Sequence, residues 1–155
     1  MGYLTRNEIE NFDFSNSYIG EMHQDAHSFY LILDNVVILS SNSTNRDIRN
    51  MRANDVKLTI ADGAVISLIE EGYKVYDADG NLSESFDDKE IVSEEYNEVL
   101  KSLENCTIYS ISKNDSVYDI EIDTEDHTYS ITVKGTGDTE EWEKYLSPTD
   151  TMPQY

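Results

Sequence analysis

The sequence predicts a mainly antiparallel β domain of the α+β class, with hairpins and a meander forming a curved sheet or small sandwich and two helices beside it. Apolar and polar residues alternate along several short segments, and turn residues separate these segments. A helical period replaces the alternation only over about 93–105 and 138–146. The 155 residues fit one domain, expected over 1–147, with a frayed tail over 148–155.

The first half of the chain is a series of short apolar runs. Two of them, 28–33 and 35–41, flank the turn pair Asp34-Asn35 and predict a buried hairpin. The further apolar runs are Val56 to Ile60, Val65 to Ile69 and Tyr73 to Tyr76. They are followed by the turn residues Asp62-Gly63, Glu71-Gly72 and Asp79-Gly80-Asn81, respectively. Asp-Gly supplies the positive φ angles of tight hairpin turns, so these runs are expected to pair with their neighbours in sequence.

The clearest alternation lies in the last third of the chain. In Val117 to Asp123, the apolar residues Tyr118, Ile120 and Ile122 alternate with the acidic residues Asp119, Glu121 and Asp123. Residues 128–134 alternate in the same way, and Tyr109 with Ile111 begins the pattern. We therefore expect a three-stranded antiparallel meander over 106–134, with one wet face and one buried face that carries Ile120, Ile122, Ile131 and Val133.

Two segments have the period of a helix. Tyr96, Val99, Leu100 and Leu103 form one apolar stripe after Ser93, which is suited to cap a helix over 93–105. Further on, Asp138 and Glu141 have the spacing of a capping box. This predicts a second helix over 138–146, with Trp142, Tyr145 and Leu146 on one face.

Charge restricts the classes of partner. Eleven Lys and Arg against 32 Asp and Glu give a net charge of −21. Such a surface repels nucleic acid and anionic membrane and attracts basic proteins, so we expect neither direct nucleic-acid binding nor a membrane partner. A single cysteine, Cys106, and an N-terminal segment without the pattern of a signal peptide indicate the reducing cytoplasm.

Four short patterns resemble ligand or catalytic motifs, and each is incomplete. His23 and His27 lack the glutamate of a zincin motif, and the Asp77–Asn81 segment lacks the closing glutamate of a calcium loop. Gly135-Thr136-Gly137 is followed by Glu140 where a dinucleotide fingerprint has its third glycine, and Cys106 with His127 has no context that would activate a thiolate. We expect no metal, no cofactor and no catalytic constellation.

The first candidate binding site is an arginine cluster. Arg46, Arg49 and Arg52 are three of the four arginines and would share a broad face if they lay on a helical turn. Arginine binds carboxylate and phosphate bidentately, so the cluster could hold an external anion. The alternative, which the 32 carboxylates favour, is that these arginines form internal ion pairs.

The second candidate is an acidic row formed by Asp119, Glu121 and Asp123 and continued by Glu125 and Asp126. On a strand the first three lie roughly 7 Å apart on one face. Like charges so aligned repel one another, and a basic partner would relieve that repulsion. The alternative is an ordinary solvated face.

The leading functional hypothesis is a protein-binding domain that neutralises or regulates a basic protein partner. Bacterial immunity proteins work in this way, and the parallel is one of charge alone. A small-molecule or anion-binding domain, or an enzyme, that uses Arg46, Arg49 and Arg52 is the rival. A third alternative is a homo-oligomer without catalytic activity, formed through tyrosine-rich strands.

Overall fold

The computed structural model describes residues 2–46 and 49–146. Within them the chain forms fifteen β-strands, one α-helix and two short 3-10 helices. The strands are β1 (Tyr3–Arg6), β2 (Phe12–Asp13), β3 (Tyr18–Gln24), β4 (Ser28–Asp34), β5 (Val36–Ile38), β6 (Met51–Ala53), β7 (Val56–Ala61), β8 (Ala64–Glu70), β9 (Tyr73–Tyr76), β10 (Leu82–Phe86), β11 (Lys89–Glu90), β12 (Thr107–Asn114), β13 (Val117–Asp123), β14 (Thr128–Lys134) and β15 (Gly137–Trp142). Helix α1 is Tyr96–Ser102, and the 3-10 helices are Ile9–Asn11 and Ser93–Glu95.

Ten of these strands form one antiparallel sheet, so the predicted fold class is correct. The order of its strands is β1-β15-β7-β4-β3-β12-β13-β14-β8-β11. Strands β2, β5 and β6 form a second sheet, and β9 with β10 forms a separate hairpin. The predicted meander is confirmed as β12-β13-β14, and Ile120, Ile122, Ile131 and Val133 are fully buried.

The large sheet curls because two of its connections are very short. Strands β7 and β8 are third and ninth in the sheet, and β15 and β14 are second and eighth, yet two residues join each pair. In a flat sheet six strand spacings would separate them by roughly 29 Å. A two-residue connection spans at most roughly 11 Å. The two halves of the sheet must therefore turn towards each other and enclose the core between them.

The connection between β7 and β8 shows how closely the two halves approach. The backbone N–H of Thr136, between β14 and β15, donates to the carbonyl of Ala61 at 2.9 Å. A Cβ atom on Gly63 would lie 2.9 Å from Phe29 Cβ and 2.8 Å from the Ile60 carbonyl oxygen. Glycine is needed at this position for close packing, while Asp62 before it takes the positive φ of 54°.

Several of the predicted hairpins do not form, because their strands pair with other strands. Strand β4 pairs with β3 and β7, whereas β5 leaves for the second sheet after Asn35, which has a φ of 63°. Strands β7 and β8 do not pair with each other, nor do β8 and β9. The turn residues mark where the chain changes direction, but they do not specify which strand each apolar run pairs with. The hairpin that closes at Gly80, with a φ of 84°, is as predicted.

The first predicted helix is confirmed in part, and the second is wrong. The segment 93–105 holds the short 3-10 helix and α1, and its Leu100 and Leu103 are buried. Ser93 makes no capping side-chain bond, since Val92 precedes the 3-10 helix and Glu95 precedes α1. The segment 138–146 instead contains most of β15 and no helix. Its Asp138, Glu140 and Trp142 all point inward with the period of a strand.

Two further expectations concern the ends of the chain and the membrane. Residues 148–155, expected to fray, lie outside the described residues. In the part of the chain that is described, no helix has both the length and the apolar character needed to cross a membrane.

Candidate protein-binding surface

The acidic row lies on the outer face of the meander, as the alternation predicts. Strand β13 is the middle strand, and its Asp119 is exposed while Glu121 and Asp123 are half-buried. The hydroxyl of Thr132 donates to Asp119 at 3.2 Å, and the hydroxyl of Thr128 donates to Asp123 at 3.1 Å. The neighbouring strand β14 therefore fixes the positions of two of the three carboxylates.

Two carboxylates outside the row join it at one end. Glu71 follows β8 and Asp88 precedes β11, so that they reach the row across the sheet. Partial burial of Glu71, followed by the negative charges of Glu121, Asp88 and Asp123, raises the pKa of the Glu71 carboxyl. These four residues, Glu71, Asp88, Glu121 and Asp123, are called the acidic cluster below.

Within the described residues, no salt bridge joins a lysine, arginine or histidine to the acidic cluster. Lys113 pairs with Asp138 at 3.1 Å, and His127 Nε2 lies 3.9 Å from Glu70 Oε1. Neither pair includes a member of the cluster. The carboxylates of the cluster therefore repel one another without the compensation of a salt bridge.

A cleft of about 270 Å³ opens beside the cluster, between Glu71-Gly72-Tyr73 and the β13–β14 turn. The hydroxyl of Thr124 accepts the backbone N–H of His127 at 2.9 Å and so holds this turn. Its Glu125 and Asp126 are exposed, and both line the cleft. All five residues of the predicted acidic row thus lie along β13 and the turn after it. The turn end of the row, with Glu125 and Asp126, shares the cleft with the ring of Tyr73.

The arginine cluster is not gathered on one helical face. Arg52 is on β6, where its Nη1 donates to the side-chain oxygen of Asn35 at 2.8 Å. Arg46 and Arg49 are exposed on irregular chain, and Asp47 and Ile48 between them lie outside the described residues. Arg49 makes an interaction of its own.

The incomplete motifs occupy turns and strands. The His23 ring, on β3, lies 5.7 Å from the ring of Tyr30, and His27 is in the turn before β4. The carboxylate of Asp77 accepts the backbone N–H groups of Asp79 and Asn81, both at 2.9 Å, and so closes a hairpin turn. Across the described ranges, no group of three His, Cys, Asp or Glu side chains is arranged to hold a metal.

The two remaining motifs, the glycine pair of residues 135–137 and Cys106, also lack the surroundings that their chemistry requires. Gly135-Thr136-Gly137 joins β14 to β15 and is followed by a strand, where a dinucleotide fingerprint requires a helix. Burial raises the pKa of the Cys106 thiol, which is the opposite of what a reactive thiolate requires.

Sequence reasoning missed a second group of carboxylates, in the core. Asp138 and Glu140 on β15 are buried, and their carboxyl groups lie beside each other. Asp138 Oδ1 accepts the hydroxyl of Tyr118 at 2.7 Å and Lys113 Nζ at 3.1 Å. Glu140 Oε1 accepts the hydroxyl of Thr5 at 2.8 Å.

We infer that this pair holds a proton. Asp138 Oδ2 and Glu140 Oε2 are buried, and no other protein group donates to either. Two ionised carboxylates would only repel here, whereas one proton between them satisfies both oxygens. Burial and the bond to Asp138 raise the pKa of Glu140 to about 9. Bonds from Glu140, Tyr118 and Lys113 outweigh burial and hold the pKa of Asp138 below its ordinary value.

The buried pair is enclosed, so we assign it a structural role. Asp138 is 2% exposed and Glu140 is 0% exposed, which leaves no route for a solute to either carboxyl. The only signal in the sequence is the two-residue period of Asp138, Glu140 and Trp142, which the spacing of a capping box concealed. The acidic cluster on the outer face of the meander and its cleft remain the candidate functional site.

Comparison with protein-family models, with curated proteins and with solved structures finds no match to this chain.

Proposed function

We propose that this protein is a binding domain for a basic protein, which it neutralises or regulates through the acidic cluster and the turn that carries Glu125 and Asp126. The observation that carries the proposal is the convergence of four carboxylates from three parts of the chain, with no described cation among them. An ordinary solvated face intersperses charges of both signs.

Physical chemistry gives such a surface a use in association. Repulsion among the carboxylates is present in the free protein and is relieved when lysine and arginine side chains approach. The net charge of −21 adds long-range attraction, which raises the rate of encounter with a basic partner and weakens as salt is added. The hydroxyls that hold Asp119 and Asp123 fix them before binding, so less ordering is required when a partner arrives.

The test is capture of proteins from native cell extract on the immobilised protein, first at low and then at physiological salt, followed by identification of what is retained. The variant replaces Glu71 and Glu121 by Gln and Asp123 by Asn, which keeps shape and removes three charges. We expect wild type to retain basic proteins at physiological salt and this variant to lose most of them.

A matched control separates the cluster from net charge. Asp55→Asn, Glu141→Gln and Glu143→Gln also remove three charges, from exposed positions at the other end of the large sheet. We expect this control to retain what wild type retains. Equal losses in the two triple variants, or retained proteins with no basic character, would contradict the proposal.

A further inference from the structure

The hairpin of β9 and β10 stands apart from both sheets and is exposed on each of its faces. All nine residues of its two strands are exposed. Ten large apolar side chains are exposed in the described chain, and five of them are here, with exposures of 38–57%. These five are Tyr73, Val75, Tyr76, Leu82 and Phe86. A two-stranded hairpin without a covering layer is marginal in water, and a cluster of exposed apolar residues marks an interaction site.

The base of the hairpin is held firmly against the body of the protein. The backbone N–H of Gly72 donates to Asp88 at 2.6 Å, and that of Glu71 donates to the Thr128 carbonyl at 2.8 Å. A Cβ atom on Gly72 would lie 2.1 Å from the carbonyl oxygen of Phe86, so the chain before β9 approaches the end of β10 at a position where only glycine fits. The direction of the hairpin is therefore fixed relative to the acidic cluster, which contains both Glu71 and Asp88.

One face of the hairpin is continuous with the cleft. Tyr73 and Phe86 are opposite each other in the register, and their rings stack with centroids 4.5 Å apart. The ring of Tyr73 also lies 6.0 Å from that of His127, across the cleft. Val75 is on the same side by strand alternation, whereas Tyr76 and Leu82 pair on the opposite side. The Tyr73–Val75–Phe86 face thus meets the cleft and its carboxylates.

Charge selects the occupant of this face. Residues 71–88 carry six carboxylates and one cation, Lys74. A second copy of this chain would bring its own net charge of −21 and the same acidic hairpin, which opposes self-association. A basic segment is attracted instead, and arginine gains further because its guanidinium stacks on aromatic rings.

We propose that the Tyr73–Val75–Phe86 face is the docking site for an extended, arginine-containing segment of the basic partner. Apolar side chains of that segment pack on the stacked rings, while its arginines reach the cleft and the acidic cluster. This inference rests on the proposed function and adds to it the chemical form of what is bound: a basic segment with apolar residues between its cations, held by aromatic anchors as well as by charge.

The test selects binders of the intact protein from a display library of random dodecapeptides at physiological salt, then measures the dissociation constants of the selected peptides by fluorescence anisotropy. Two variants are compared with wild type. Tyr73→Ser/Phe86→Ser removes the docking face, and Tyr76→Ser/Leu82→Ser makes the same kind of change on the opposite face of the same hairpin. Amide NMR spectra of both variants report whether the hairpin stays folded.

We expect selected peptides enriched in arginine and apolar residues, with binding at least about tenfold weaker to Tyr73→Ser/Phe86→Ser and unchanged to Tyr76→Ser/Leu82→Ser. Basic peptides that bind both variants like wild type would overturn the docking site and leave the proposed function standing. Equal weakening in the two variants would also overturn it, because any damage to the hairpin would then suffice. Selected peptides without basic character, or none at all, would overturn the docking site, and the capture experiment then decides the proposed function separately.

Discussion

Replacing Glu140 by Gln should make the protein more stable at neutral pH and flatten its dependence on pH. Glu140 keeps a proton in the folded state because its pKa is raised to about 9, whereas the unfolded chain releases that proton near the ordinary value of 4.5. The contribution of this carboxyl to stability is therefore complete below pH 4.5 and is lost as pH rises towards 9. The glutamine side chain of the variant would be neutral at every pH, and its amide can donate to Asp138 as the protonated carboxyl does.

The expected size follows from proton linkage. One proton bound in the folded state and released on unfolding changes the free energy of unfolding by about 1.4 kcal/mol per pH unit. Between pH 5 and pH 8 the advantage of Glu140→Gln over wild type should therefore grow by about 4 kcal/mol. Above pH 9 the folded state releases this proton as well, so the difference between wild type and Glu140→Gln should level off.

The assay is urea denaturation of both proteins at half-unit steps of pH, with the difference in free energy of unfolding plotted against pH. Glu141→Gln is the matched control, because Glu141 is the next residue on the same strand but is exposed. It loses the same carboxyl group without changing the core, and its curve should run parallel to that of wild type. A difference between Glu140→Gln and wild type that stays flat from pH 5 to pH 8 would show that the buried pair holds no proton.

Three further predictions concern stability and are measured by chemical or thermal denaturation. Tyr118→Phe should destabilise the fold by about 1–3 kcal/mol, because Asp138 loses a buried donor, and an unchanged midpoint would disprove that bond. Ile131→Ala should cost about 2–5 kcal/mol, since Ile131 is fully buried in the meander, and a loss below about 1 kcal/mol would argue against its burial. Arg49→Ala should change stability by about 0–1 kcal/mol, with no effect of phosphate on either melting temperature, whereas stabilisation of wild type alone would favour the anion-binding hypothesis.

The sequence predicts the meander well because one physical rule governs it. Strands β13 and β14 each bury one face and wet the other, so alternation identifies both strands and their orientation. In β12 a bulge between Ile108 and Ser110 interrupts the alternation, so Ile108 is buried and Tyr109, expected on the apolar face, is exposed. The acidic row follows from the same rule, because the residues between Tyr118 and Ile122 that are not apolar must point outward. Short local turns then make neighbours in sequence into neighbours in the sheet.

The pairing of the other strands could not be predicted, since it depends on contacts between distant residues. Strand β7 pairs with β4 and β15, and β8 pairs with β14 and β11, although Asp62-Gly63 suggests a hairpin between them. Nothing in a tight turn specifies that the sheet folds over at that point. For the same reason the sequence predicted only two members of the acidic cluster, Glu121 and Asp123. Glu71 and Asp88 reach the row across strand pairs that the sequence does not reveal.

Carboxyl groups in this protein lie in two environments, the enclosed core and the outer face of the sheet, and the curled sheet creates both. Where β15 closes over the core, Asp138 and Glu140 are enclosed, and they persist because Tyr118, Lys113 and Thr5 donate to them and a proton joins them. Where β13 faces solvent, the carboxylates of the acidic cluster form no salt bridge with a described lysine, arginine or histidine. Repulsion among them should therefore destabilise the folded protein at low salt. The direct measure of that repulsion is the free energy of unfolding of the triple variant at Glu71, Glu121 and Asp123, which should exceed that of wild type at low salt and match it once salt screens the repulsion.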